Sequence, residues 1–209
     1  IYALYFPVKK TRIPHSNIKK ILVLRFEHIG DVLLTTPAIR ALKESFPKAH
    51  ISLVVGSWSK DVVEGNPYID RLIVFDHPLH NRQRRGCINL HKFVKFIRML
   101  RRSRFDLVID FRGDFSSLLV AYMCGATYSV GYNIRGRGIL LTVKLKVQKN
   151  KHEIERCLDV VRTIGANTKN RNPILIISDE DRSFAQNFLE INGISKKDLV
   201  IGVHPGAPF

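Results

Sequence analysis

The sequence predicts an α/β fold, a doubly wound parallel sheet with helices on both faces. Short β-branched apolar runs alternate with longer stretches of helical periodicity, which is the pattern of βαβ units. The 209 residues suffice for one full domain and part of another. A content of 45% hydrophobic and 9% aromatic residues is typical of a globular chain and argues against disorder.

The predicted elements follow one another in a regular order. The apolar run KILVLRF at residues 20–26 opens the sheet, and a helix follows at residues 32–46. Further strands are predicted at residues 51–55, 72–75, 107–111, 129–132 and, as an edge strand, 141–147. Further helices are predicted at residues 61–64, 90–102, 115–124 and 152–164. A polar linker at 167–173 is followed by a strand at 174–177, a helix at 179–192 and a strand at 200–203.

The net charge of +16 favours a polyanionic partner such as a phosphorylated substrate, an acidic membrane surface or nucleic acid. Cys87, Cys124 and Cys157 form no CxxC pair, so the sequence supports neither a zinc site nor a disulfide framework, and a reducing compartment fits. The chain starts at Ile1 rather than Met and stops within a predicted strand and loop. We therefore expect it to be a fragment of a longer protein.

In a parallel sheet, ligands bind at the loops that leave the carboxyl ends of the strands. The first such loop, residues 27–31, contains one glycine, Gly30, and so lacks the G-x-G-x-x-G dinucleotide fingerprint; no P-loop occurs anywhere in the chain. Asp31 is predicted at the start of the next helix. Its carboxylate either caps that helix or serves as a general base, and the spacing is compatible with both roles.

Residues 21–47 closely resemble the opening of the heptosyltransferases, the family-nine glycosyltransferases of lipopolysaccharide core assembly. The positions that fit the family's first motif are Arg25, Gly30, Asp31, Val32, Thr35, Pro37, Ala38, Ile39, Ala41, Leu42 and Lys43. Later segments fit in the same order, namely FDLVIDFRG at 105–113, Gly131-Tyr132, and His204-Pro205-Gly206-Ala207.

This resemblance implies a GT-B architecture, with an acceptor-side Rossmann-like domain at residues 1–170 and the truncated start of a nucleotide-sugar-binding domain at 171–209. It implies an inverting transfer from ADP-heptose to a phosphorylated lipopolysaccharide core, with Asp31 as base and without a cofactor or an essential metal. His204, Pro205, Gly206 and Ala207 are expected at the donor. Beside Asp31, Gly30 permits close approach of the acceptor, and His28 either orients the acceptor or is incidental. The fragment itself is expected to be inactive, and the parent enzyme to work in the cytoplasm at the inner membrane.

The stretch from Asn81 to Arg104 contains nine basic residues and no acidic one. Leu90, Phe93, Val94, Ile97 and Leu100 repeat within it at helical spacing, which favours a helix packed on the sheet with a solvated basic face. The alternative is that this face rests on anionic lipid headgroups.

Two further expectations concern anions. Nucleic acid is not expected as a partner of the enzyme, because only Phe93 and Phe96 could stack bases near the basic stretch and no nucleic-acid motif occurs. The alternative to an enzyme is a basic module that binds a membrane surface or nucleic acid without catalysis. Arg112, Arg135 and Arg137 follow predicted strand ends, where they either bind acceptor phosphates or serve solubility.

Overall fold

The computed structural model of the chain describes residues 13–14, 17–77, 90–148, 150–195 and 197–203. Within these residues, six parallel strands form one sheet in the spatial order β3-β2-β1-β4-β5-β6. The strands are β1 (Lys20–Leu24), β2 (His50–Val55), β3 (Arg71–Val74), β4 (Leu107–Asp110), β5 (Tyr128–Asn133) and β6 (Val143–Lys146). The doubly wound parallel sheet predicted from the sequence is confirmed, including β6 at its edge.

Helices cover both faces of this sheet. They are α1 (Ile29–Ser45), α2 (Lys60–Val63), α3 (Leu90–Ser103), α4 (Phe115–Met123) and α5 (Glu153–Arg162), and α6 (Asp179–Ile191) follows later in the chain. Successive side chains of a strand point to opposite faces. Accordingly, Ile21 and Val23 of β1 share a core with α1 and α5, whereas Leu22 and Leu24 share one with α3 and α4.

The register of the central strands places two loops side by side. Leu24 of β1 pairs with Asp110 of β4, so both strands end at the same level. The chain then enters α1 on one face and α4 on the other. The two loops therefore diverge and leave a crevice at the carboxyl edge of the sheet.

The chain divides into two compact units, Ile1–Ile176 and Ile177–Phe209. The first contains the sheet and α1 to α5, and the second contains α6. The strands predicted at 174–177 and 200–203 are wrong, since neither segment is a strand. A strand needs a neighbour for its backbone N–H and C=O groups, and no described strand pairs with either segment. The N–H of Ile174 instead donates to the hydroxyl of Thr36 on α1, at 2.9 Å.

Candidate active site at the carboxyl edge of the sheet

The crevice between the β1 and β4 loops is where charged side chains converge. The strand order reverses at this point, because β2 and β3 lie on one side of β1, and β4 to β6 lie on the other. Open α/β sheets bind their ligands at such a switch point, outside the carboxyl ends of the strands. The first turn of α1 and the loop between β4 and α4 form its two walls.

Asp31 lies in the first turn of α1, and its side chain is 40% exposed. The helix begins at Ile29, three residues before the predicted start, because His28 takes the extended N-cap conformation and its carbonyl accepts from the N–H of Val32 at 3.0 Å. Asp31 therefore does not cap α1, and the capping interpretation is wrong for this residue. Its carboxylate is open to solvent at the crevice and benefits from the positive end of the helix.

Arg25 is the buried centre of the site, with only 2% of its surface exposed. Its Nη1 donates to Glu27 Oε1 at 3.1 Å, its Nη2 to Glu153 Oε1 at 2.7 Å, and its Nε to the backbone oxygen of Asp31 at 3.2 Å. The same Nη2 lies 3.8 Å from the Asp31 carboxylate. Burial opposes the charged form of Arg25, but the neighbouring carboxylates outweigh it and hold its pKa above the ordinary value.

Glu27 is a buried carboxylate, and one of its two oxygens lacks a hydrogen-bond partner among the described residues. Oε1 bonds Arg25 and lies 3.8 Å from Nη1 of Arg112, whereas the buried Oε2 has no hydrogen-bond partner among the described residues. Burial raises the pKa of Glu27, although Arg25 and Arg112 pull it down and Asp31 adds to the rise. A backbone carbonyl of the same residue accepts from the indole N–H of Trp58 at 2.8 Å, which fixes this part of the loop.

Asp110 organises the opposite wall. Its Oδ1 accepts from the N–H of Arg112 at 3.3 Å, and its Oδ2 accepts from the N–H of Gly113 at 2.9 Å and the hydroxyl of Ser117 at 3.0 Å. Burial raises the pKa of Asp110 to about 7, and the charge of Glu27 contributes. The loop that Asp110 holds carries Arg112, which pairs with Asp114 and lies at the crevice with 37% of its side chain exposed.

Two glycines allow this wall to lie close to β5. Gly113 has φ +77, and a Cβ there would lie 2.8 Å from the carbonyl oxygen of Tyr132. In β5, a Cβ on Gly131 would lie 2.6 Å from the carbonyl oxygen of Asp110, with which it pairs in register. Both positions belong to segments that carry the family resemblance, and their glycines are explained by close backbone approach.

Besides the two loops, helix α5 contributes charged side chains to the site. Glu153 binds Arg25 through Oε1 and Arg156 through Oε2, the latter at 2.8 Å. The guanidinium of Arg156 lies over the ring of Tyr132, and the Tyr132 hydroxyl donates to the Arg156 carbonyl at 2.8 Å. Sequence reasoning missed Glu27, Asp110 and Glu153. Glu153 gave no local signal, because it is 128 residues from Arg25 in the chain.

Comparison with known proteins identifies the family. The family model "Glycosyltransferase family 9 (heptosyltransferase)" matches residues 93–209, more than half of the chain. The chain belongs to glycosyltransferase family 9. The predicted family is confirmed, although residues 21–47, which carry its first motif, lie before the matched segment.

Relatives extend the similarity of this family 9 chain towards its start. Lipopolysaccharide heptosyltransferase 3 of Escherichia coli K12 is 25% identical over 187 residues, which are 85% of this chain and 51% of that protein. The glycosyl transferase family 9 structure from Veillonella parvula DSM 2008 matches with a TM-score of 0.75 and 25% identity, over 91% of this chain and 55% of that one. The E. coli heptosyltransferase WaaC with ADP-2-deoxy-2-fluoro heptose matches with a TM-score of 0.60 and 20% identity, over 82% and 54%. The chain thus spans about half the length of the curated relatives it matches.

The remaining predicted site residues of the family 9 chain are placed as follows. His28 and Gly30 are exposed beside Asp31, and a Cβ on Gly30 would meet nothing within 4 Å. Arg135 is exposed in a turn after β5 with φ 52, and within the described residues no ion pair joins it to Glu27, Asp31 or Glu153. Arg137 is described by its backbone alone, in a 3-10 turn. His204, Pro205, Gly206 and Ala207 lie outside the described residues.

Helix α3 presents its basic face away from the sheet. Ile97 and Leu100 are buried as predicted, but Leu90 is 67% exposed because it is the first residue of the helix and lies beyond the apolar stripe. Phe96, considered as a base-stacking residue, is buried and stacks on Phe75 with 3.8 Å between ring centroids. On the outer side, a groove of about 460 Å³ is lined by His91, Val94, Lys95, Arg98, Met99, Arg102 and Ser103.

Among the residues described, no helix is both long and apolar enough to cross a membrane. Cys124 and Cys157 are free and buried, and Cys87 lies outside the described residues. Burial raises the pKa of both buried thiols to about 11, which suits a packing role rather than a nucleophilic one.

Proposed function

We propose that the protein is an inverting glycosyltransferase in which Asp31 is the general base. The observation that carries this proposal is the half-exposed Asp31 carboxylate in the first turn of α1, at the switch-point crevice and 3.8 Å from a buried guanidinium. The proton of an acceptor hydroxyl passes to this carboxylate while the hydroxyl oxygen attacks the anomeric carbon of the donor. The bond from that carbon to the diphosphate oxygen breaks, and the diphosphate leaves with the electron pair.

The donor that we propose is ADP-heptose, and the acceptor is a phosphorylated lipopolysaccharide core. Support comes from the family and from the solved structure of E. coli heptosyltransferase WaaC with ADP-2-deoxy-2-fluoro heptose. We assign acceptor contacts to His28, Gly30 and Arg112, with Arg135 and Arg137 on the neighbouring loop. The open space at Gly30 supports this assignment, because, apart from its chain neighbours and its own helix backbone, no atom of the described chain lies within 4 Å of where a Cβ would be, so an acceptor could approach the backbone.

We assign contacts with the donor diphosphate to residues 204–207. The domain division proposed from the sequence goes with this assignment, since residues 171–209 then open the donor-side domain. This division requires that the natural full-length protein transfers the sugar and that residues 1–170 alone do not.

The test of the base is a transfer assay on the full-length protein with ADP-heptose and a truncated core acceptor. Asp31→Asn and Asp31→Ala should each lower kcat by about 10²–10⁴-fold, the usual cost of losing a general base. The matched control is Asp61→Asn, which removes an exposed carboxylate from the first turn of α2. Near-normal rates in both Asp31 variants would refute the base, and transfer only from another nucleotide-sugar would refute the donor.

We also propose that the enzyme works in the cytoplasm and docks on an anionic membrane surface through α3. Lys95, Arg98 and Arg102 line the outer groove of this helix, and no ion pair within the described residues neutralises them. A basic residue near an anionic surface contributes about 1 kcal/mol. Arg98→Gln should therefore weaken binding to phosphatidylglycerol vesicles about fivefold, whereas Lys48→Gln, at an exposed site beyond α1, should not. Equal binding to neutral vesicles, or preferential binding to nucleic acid, would refute this docking.

A further inference from the structure

Arg25 is fixed on every edge of its guanidinium. Nη1 meets Glu27, Nη2 meets Glu153, and Nε meets the backbone oxygen of Asp31. A planar guanidinium held by three hydrogen bonds of 3.2 Å or shorter has little freedom to turn, and at 2% exposure water does not compete for its donors. The Asp31 carboxylate lies next to this fixed charge, at 3.8 Å from Nη2.

The anchor of Arg25 extends to α5, on the same face of the sheet as α1, and to β5. Glu153 holds Arg25 with one oxygen and Arg156 with the other, and Arg156 in turn is bound to Tyr132 of β5. The first turn of α1 is thereby tied to α5 and to the sheet by side chains that bind one another and the backbone oxygens of Asp31 and Arg156. Both carboxylate oxygens of Glu153 already accept hydrogen bonds, from Arg25 and Arg156, so substrate is not needed to complete its contacts.

We propose that Arg25, anchored by Glu153, is the positioning residue of Asp31. The inference rests on the proposed role of Asp31 as base. Two contacts serve this function: the bond to the Asp31 backbone oxygen sets the first turn of the helix, and the charge at 3.8 Å sets the direction of the carboxylate. Arg25 itself is 2% exposed, and the positioning role requires no contact between it and substrate.

This role has kinetic consequences that differ from those of a structural residue. Misplacing a catalytic group by about 1 Å can cost roughly 10²-fold in rate. A change that only misplaces the base lowers kcat and leaves KM unchanged. Such a change also lowers the rate no further once the base has been removed. A change that impairs folding or substrate binding, in contrast, still lowers the rate when the base is absent.

The experiment is a double-mutant cycle on the full-length protein, assayed with whichever nucleotide-sugar supports transfer. Arg25→Lys should lower kcat about 10²-fold and Glu153→Gln about 10-fold, with both KM values within twofold of wild type. In the D31N background, each change should cost less than about threefold more. Glu155→Gln is the matched control, since Glu155 lies on the same helix at 24% exposure and, among the described residues, its ion pairs are with Arg162 and Arg171.

Urea titration of each variant shows whether it folds. If R25K is unfolded, E153Q alone carries the test, because it leaves Arg25 in place and removes the negative charge that Arg25 and Arg156 share. Losses that multiply fully in the D31N background, or a raised KM with normal kcat, overturn the positioning role. If D31N loses activity while R25K and E153Q keep a normal kcat, this inference fails and the base assignment stands. If D31N is fully active, the base assignment fails as well.

Discussion

The buried carboxylate of Asp110 should give the protein a stability that falls as the pH rises. The pKa of Asp110 is about 7 in the folded chain against an ordinary value of 3.8, because burial disfavours the charged form. Between these two pH values, the folded state keeps a proton that the unfolded state has released. The free energy of unfolding therefore decreases with pH across this window.

The size of this effect follows from the shift of about three pKa units. At 1.36 kcal/mol for each unit, Asp110 costs the folded state roughly 4 kcal/mol between pH 4 and pH 7. The perturbation is Asp110→Asn, which is neutral at every pH and of nearly the same shape. The lost hydrogen bonds lower the stability of the variant by an amount that does not vary with pH, so the difference between variant and wild type isolates the titration.

The assay is urea unfolding of both proteins at intervals from pH 4 to pH 8, followed by circular dichroism. As the pH rises across this range, the unfolding free energy of D110N minus that of wild type should increase by roughly 4 kcal/mol. Asp61→Asn, which changes an exposed aspartate, is the control and should show a flat difference. A D110N difference that stays within about 1 kcal/mol from pH 4 to pH 8 would show that the folded and unfolded carboxyls titrate alike, and the reasoning would fail.

Three further changes should act on stability, each measured by urea unfolding at pH 7. Glu27→Ala should lower the free energy of unfolding by about 3–5 kcal/mol, because it removes one partner of a buried ion pair. Glu64→Ala removes one partner of an exposed pair and should lower it by at most about 1 kcal/mol. Equal losses in the two variants would contradict the burial argument. Gly113→Ala should cost at least about 1–2 kcal/mol because its φ of +77 disfavours a side chain, and a neutral effect would mean that the loop relaxes freely. Leu100→Ala, at a fully buried position, should cost about 2–5 kcal/mol, and Leu90→Ala, at 67% exposure, close to nothing; the reverse order would place α3 wrongly on the sheet.

The sheet could be predicted because its signal is local. Each strand is a short apolar run, and each helix carries its own periodicity, so β1 to β6 and α1 to α5 all follow from the sequence within a few residues. The segments 174–177 and 200–203 have the same composition but are not strands. Composition reports what a segment favours, and only a paired neighbour decides whether its backbone hydrogen bonds form.

The site could be predicted only where a motif pointed to it. Asp31 and Arg112 were found because each follows a strand end within a recognisable segment. The connections among them could not be found, since Arg25 and Glu153 come together only after the whole sheet has folded. Asp110 was hidden for another reason: it reads as the last residue of a buried strand, and its function in holding the next loop depends on hydrogen bonds that no spacing reveals.

The distance along the chain between Arg25 and Glu153 also sets an order of events during synthesis. Ribosomes add roughly 5–20 residues each second, so Arg25 emerges on the order of ten seconds before the residue that anchors it, 128 positions later. During that interval β1 to β6 can be made, but the guanidinium beneath α1 lacks its helix-borne partner. Because α5 also supplies Leu158 and Val161 to the core beside α1, the core and the charge arrangement of the crevice are completed by the same helix.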